Sequence, residues 1–203
     1  MTASPVAPAS PRSVAPGSCA LSDVLGDEPA RWPITIGVAV PVPEPFLAEL
    51  GAYRERFGDP LAHAIVAHIT LVPPMAVPDE AHLAAVLAHL AHVAFRLAPF
   101  PLVLAGAGTF RPVSPVVFVP IETGEDEVRA IEAAVRTGPL DRPLQFPFHP
   151  HVTVAHDVDE QWLDEAFDVM DSYRAAFEVA SLGLFVQGAD RIWRQRMEFG
   201  FGS

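Results

Sequence analysis

Two near-identical stretches of the chain carry residues suited to acid–base chemistry: His68-Ile69-Thr70-Leu71-Val72 and His151-Val152-Thr153-Val154-Ala155. In an extended strand, residues i and i+2 share a face. His68 therefore stands beside Thr70, and His151 beside Thr153. Ile69, Leu71, Val152 and Val154 point the other way, toward a core. Free histidine titrates near neutrality, so one imidazole can accept a proton while a second donates one. Each such transfer typically contributes about 10²–10⁴-fold in rate. Threonine hydroxyls can donate to the non-bridging oxygens of a phosphate, where charge grows in the transition state. Two His and two Thr thus supply a base, an acid and an anion clamp, with no metal and no cofactor. A single His-x-Thr carries little weight, because a strand histidine is usually structural or simply exposed. Its repetition in the same alternating pattern points to function.

Other side chains are weaker candidates. Phe148 and Phe110 could stack on a base, a contact worth about 1–3 kcal/mol; the simpler alternative is that both pack the sheet. Arg111 and Arg142 could contact a phosphate, or merely solvate a surface. His149, His151 and His156, with Asp157 or Asp159, form a rival zinc-like set, although such a site needs three ligands in fixed geometry. His82, His89 and His92 read as one flank of a helix.

Strands and helices must hold these groups, and the apolar pattern supplies both. Ile34 to Val40 reads as a buried strand, and Pro43 to Phe57 as a helix with Phe46, Leu47, Leu50, Tyr53 and Phe57 at helical spacing. The first motif strand spans Ala64 to Val72 and is closed by Pro73-Pro74. Asp79 to Leu97 is an amphipathic helix. Phe100 to Ala105 and Pro115 to Ile121 read as strands around a polar turn, Gly106 to Ser114, that carries Arg111. Glu125 to Arg136 forms a helix with acids early and arginines late, matching the helix dipole. The second motif strand runs from Pro150 to Ala155. A helix over Asp159 to Asp171 follows, with Trp162, Leu163, Ala166, Phe167 and Met170 inward. Phe177 to Val186 and Ile192 to Phe199 read as a closing hairpin. The order predicts an α+β fold with two pseudo-symmetric lobes of antiparallel sheet plus helices around a central cleft, each lobe contributing one motif.

The chain has 203 residues, half of them apolar, enough for a sizeable core. Residues 1–30 are rich in Pro, Ala and Ser and are expected to form a disordered leader; residues 31–203 form the two-lobed domain. The leader lacks a basic start and a continuous apolar segment, so no secretory signal is read and the cytoplasm is the expected location. Apolar runs are too short for a membrane span. A single cysteine, Cys19, excludes a disulfide framework and reads as an idle thiol. The net charge is −12, with 25 acidic residues against 13 basic ones, all arginine. That balance argues against a broad grip on long nucleic acid but not against a small phosphorylated ligand held by local groups.

At His68-Ile69-Thr70-Leu71 and His151-Val152-Thr153-Val154 the chain resembles the 2H phosphoesterase superfamily, which includes the 2′-5′ RNA ligase-like proteins and cyclic phosphodiesterases. Pro73-Pro74, Phe148-His149-Pro150 and Gly108-Thr109-Phe110 leading into Pro115-Val116-Val117-Phe118 extend the likeness over roughly residues 32–200. The resemblance implies a two-lobed fold and a metal-independent opening of a cyclic phosphodiester, commonly a 2′,3′-cyclic phosphate opened to a 2′-phosphate. It implies His68 and His151 as the catalytic pair, with His151 taken as base and His68 as acid, and Thr70 and Thr153 as phosphate contacts. Relatives often carry an arginine soon after the second motif; here His156 holds that place, and Arg111 or Arg142 is the expected substitute, with Arg111 and Phe148 taken against the substrate. The expected partner is a small cyclic-phosphate nucleotide or a short RNA end, bound by a monomer. The rival readings are a metal-dependent hydrolase and a non-catalytic nucleotide- or RNA-end-binding protein.

Overall fold

The structure, a computed structural model, describes residues 12–14, 21–25 and 31–202. Its elements are β1 (Arg12–Val14), α1 (Leu21–Leu25), β2 (Ile34–Pro41), α2 (Phe46–Arg56), β3 (His68–Val77), α3 (Glu80–Phe95), β4 (Phe100–Ala105), β5 (Gly108–Thr109) and β6 (Val116–Thr123). Then follow α4 (Glu125–Val135), a 3₁₀ turn (Gly138–Leu140), β7 (His151–His156), α5 (Glu160–Met170), β8 (Arg174–Val179), β9 (Ser181–Gln187) and β10 (Trp193–Gly200).

Two sheets form. The first has the order β1-β10-β9-β2-β3, with β1 parallel to β10 and the other pairs antiparallel. The second is antiparallel: β8 pairs with β4, β4 with β6, and β6 with β7, while β5 continues the β4 register along β6. Each motif strand is thus the edge of its sheet, and β3 lies against β7. The mixed architecture and the placement of one motif per sheet agree with the two-lobed α+β reading.

The lobes share one interior. A single buried cluster runs from Ile36, Ile69 and Leu184 of the first sheet to Leu104, Val119 and Val152 of the second, with Leu83 and Leu90 of α3 and Ile131 of α4 joining them. No described helix is long and apolar enough to cross a membrane.

Three expectations need correction. Pro73 and Pro74 do not end the first motif strand, which continues to Val77. Ile36 pairs with Met75 and Val38 with Val72, so the two prolines oppose Gly37 alone in a bulge. An edge strand at a bulge tolerates residues without an N–H. Phe177 to Val186 is not one strand: β8 belongs to the second sheet and β9 to the first, and the chain crosses between them at Ala180. Trp162 is not inward but 36% exposed; Leu163, Ala166 and Met170 form the buried stripe of α5 and leave it on the flank. Within the expected leader, β1 pairs with β10, and Val24 of α1 is buried in the core. Cys19 and the rest of that leader lie outside the described residues.

Candidate active site

The two motifs fold alike. His68, Ile69 and Thr70 stand opposite Pro41, Val40 and Ala39 of β2. His151, Val152 and Thr153 stand opposite Pro120, Val119 and Phe118 of β6. Ile69, Leu71, Val152 and Val154 are fully buried, while His68, Thr70, His151 and Thr153 are half-buried on the opposite face. That is the period-two alternation expected of an apolar-backed strand.

Because the two edges adjoin, the four polar side chains line one cavity of about 320 Å³. Arg54 and His156 share its wall, and Val38, Leu61, Ile65, Val72, Phe185 and Trp193 make the rest mainly apolar. The size matches a small-ligand site rather than a channel for a long strand.

Each imidazole is held in the same way. His68 Nδ1 is 2.7 Å from the carbonyl of Val66, and His151 Nδ1 is 2.7 Å from the carbonyl of His149. A carbonyl only accepts, so Nδ1 carries the hydrogen and donates it. In the neutral ring the lone pair is then on Nε2. On His68 that nitrogen faces the Thr70 hydroxyl at 3.0 Å, which donates to it. Burial pushes both histidines below their ordinary range. For His68 the Val66 carbonyl opposes the shift and the Arg54 charge adds to it. His151 is pushed down to about 4, chiefly by burial, with the His149 carbonyl opposing and the His149 and His68 charges adding. His151 therefore senses the charge of His68 across the cavity.

The other candidates fall elsewhere. Arg111 does not line the cavity; its Nη1 donates to Glu160 and Asp164 of α5, at 2.8 Å each. Phe148 is outside the lining too: it packs on the core, with the Arg129 guanidinium 5.9 Å from its ring centre. Arg142 donates to the carbonyls of Pro73 and Pro74 on the sheet edge. Phe110 packs edge-on to His151 at 5.0 Å and on Phe118 at 4.4 Å, bracing the second motif. The rival metal set does not assemble: among the described residues no three His, Cys, Asp or Glu are grouped to hold an ion. His89 instead donates from Nε2 to the Val135 carbonyl of α4.

Arg54 and Trp193 are cavity residues that the reading of the sequence missed. Arg54 is only 4% exposed and ion-paired to the buried Asp59, Nε to Oδ2 at 2.9 Å. A signal was present: Leu50, Arg54 and Phe57 recur at i, i+4 and i+7, which puts a charge on the buried stripe of α2. Trp193 begins β10, and nothing local marks it as facing the site.

Comparison with known proteins speaks to the lineage and the fold of the chain. Residues 42–191 match the profile of the 2′-5′ RNA ligase superfamily. Two bacterial proteins named "putative phosphoesterase" are similar: one of Bacillus licheniformis, 30% identical over 61% of this chain and 69% of its own, and one of Bacillus pumilus, 32% identical over 61% and 68%. Among solved structures, E. coli LigT complexed with 3′-AMP superposes with a TM-score of 0.61 at 19% identity, covering 84% of this chain and 99% of its own. A Thermus thermophilus protein gives 0.54 at 21% identity, covering 83% and 99%. The structural matches speak for the fold and the profile for the lineage: this chain belongs to the 2′-5′ RNA ligase superfamily, within the 2H phosphoesterases.

Proposed function

We propose that the protein opens a cyclic phosphodiester, on a nucleoside 2′,3′-cyclic phosphate or a short RNA end, by metal-independent acid–base catalysis. The observation that carries this reading is that His68, Thr70, His151 and Thr153 line one small cavity, with both Nδ1 positions tied to backbone, so that proton transfer falls to Nε2 of each ring, which on His68 faces the Thr70 hydroxyl.

In the hydrolytic direction His151 Nε2 takes a proton from water as its oxygen attacks phosphorus. The bond from phosphorus to O3′ breaks, and O3′ takes a proton from His68 Nε2, which leaves a 2′-phosphate. His151, held neutral across the physiological range, suits the base role. His68 must be charged to act as acid, and an incoming phosphate anion favours that form. The hydroxyls of Thr70 and Thr153 donate to the non-bridging oxygens as their charge grows. The largely apolar wall and the acidic chain favour a small nucleotide over a long strand. LigT was solved with 3′-AMP, with ATP and with NADP+, ligands of the size this reading asks for.

The test is turnover on a panel of nucleoside 2′,3′-cyclic phosphates, with and without EDTA, resolving 2′- from 3′-phosphate products. Chelator-insensitive formation of the 2′-phosphate is expected. Activity lost in EDTA and restored by zinc would overturn the reading.

A further inference from the structure

The two motifs share more than their histidines. Ahead of each, a helix sends one arginine to the backbone at the same distance from the histidine. In α2, Arg54 donates from Nη1 to the carbonyl of Ile65, three residues before His68. In α4, Arg129 donates from Nη1 to the carbonyl of Phe148, at 2.7 Å, three residues before His151. The next carbonyl along the chain is in each case the one that accepts from the histidine's Nδ1: Val66 for His68 and His149 for His151. A carboxylate steadies each guanidinium. Asp59 accepts from Arg54 Nε at 2.9 Å, and Glu125 accepts from Arg129 Nε at 3.0 Å and Nη2 at 2.6 Å.

We propose that Arg54 and Arg129 are a matched pair of positioning residues, each tying the backbone before a motif histidine to the preceding helix and so aiming that histidine's Nε2 into the cavity. The inference builds on the reading of His68 and His151 as the reacting groups, but ring orientation can be measured without turnover.

An imidazole has two nitrogens, and which one bears the hydrogen is set by the partner of the other. If the Val66 or His149 carbonyl drifts, the ring loses the partner that keeps its lone pair on Nε2. A peptide carbonyl is steered by its neighbour, and Arg54 and Arg129 hold that neighbour. The first brace is the stronger. Arg54 and Asp59 have side-chain exposures of 5% and 0%, and Asp59 Oδ1 also accepts from the Leu61 N–H at 2.9 Å. The Ala64 carbonyl accepts from the Trp193 N–H at 2.7 Å, so the segment between Asp59 and Val66 is pinned from both sides. The second brace is looser, with Arg129 and Glu125 exposed at 42% and 43%. Arg54 also places a positive charge near His68 that disfavours its protonation.

The experiment is ¹⁵N–¹H spectroscopy of the histidine rings in the wild type, Arg54→Met and Arg129→Met, with kinetics alongside. His68→Gln and His151→Gln assign the signals. The wild type should show the Nδ1–H form on both rings at pH 7. Arg54→Met should shift the tautomer balance and raise the titration point of His68 while leaving His151 unchanged; Arg129→Met should disturb the tautomer balance of His151 alone. With Arg54→Met kcat should fall about 10- to 100-fold, and with Arg129→Met about 2- to 5-fold, with KM nearly constant in both. A rise in KM with kcat preserved would mark Arg54 as a direct substrate contact and overturn its role. Should Arg54→Met fail to fold, the exposed Arg129→Met decides the matter: an unaltered His151 ring signal would overturn the proposal, whatever the kinetics.

Discussion

The imidazoles of His68 and His151 rest in their neutral forms at pH 7, because burial outweighs the hydrogen bonds that favour the cation. Two pH effects follow. Catalysis by one neutral and one charged ring peaks between the two titration points, and both lie below the ordinary histidine value of 6.5. The kcat/KM profile should therefore be a bell centred below pH 6.5, with the kcat optimum higher, since a bound phosphate anion raises the acid's pKa; steady-state kinetics across pH 4–9 checks this. Stability responds in the same window. The unfolded chain protonates His151 near 6.5 and the folded chain only near 4. Between those values the unfolded state holds the extra proton, so stability is level above about 6.5 and declines as pH drops toward 4. His151→Gln should flatten part of that decline, read as the change in urea midpoint between pH 7 and 4.5. His68→Ala and His151→Ala should each lower kcat by about 10²–10⁴-fold and leave the circular dichroism spectrum unchanged, because neither ring belongs to the core. Normal turnover in either variant would remove that histidine from the mechanism.

At the scale of elements, the motif strands work because their backs are packed. Ile69 and Val152 are fully buried directly behind the two histidines. Ile69→Ala should cost about 2–5 kcal/mol of stability, measurable by urea unfolding; a cost below about 1 kcal/mol would mean that the back of β3 is loosely packed. The join between β6 and α4 is another sensitive point. Gly124 has φ 90°, and a Cβ there would come within 2.9 Å of the Pro101 carbonyl oxygen. Gly124→Ala combines an unfavourable backbone region with a backbone clash, and should destabilise by about 1–3 kcal/mol. Alternation made β3 and β7 legible from their residues alone, because period two depends only on neighbours. The continuation of β3 through Pro73 and Pro74 was not legible: it depends on β3 being an edge strand and on Gly37 lying opposite, and neither is local information.

At the scale of the molecule, one buried cluster spans both sheets, so the lobes should not melt separately. Urea unfolding followed by tryptophan fluorescence and by far-ultraviolet circular dichroism should give one coincident transition; two separated transitions would show the lobes to be independent. The chain itself also joins the lobes, since β8 and β9 are consecutive yet lie in different sheets. Composition and periodicity dictated the two His-x-Thr strands, which face of each is polar, and the helices and strands between Ile34 and Met170 apart from the short β5. These are properties of residues a few positions apart, where the strand and helix repeats alone decide which side chains share a face. The fold decided that β3 and β7 are adjacent edges, that Arg111 is consumed by α5, that Phe148 packs away from the cavity, and that Arg54 enters it. Those outcomes depend on contacts beyond the element itself. A charge on an apolar stripe is stable only where a carboxylate and a carbonyl from outside the helix meet it; the stripe of α2 marks Arg54 as buried, but only the fold brings Asp59 and the Ile65 carbonyl to it beside His68.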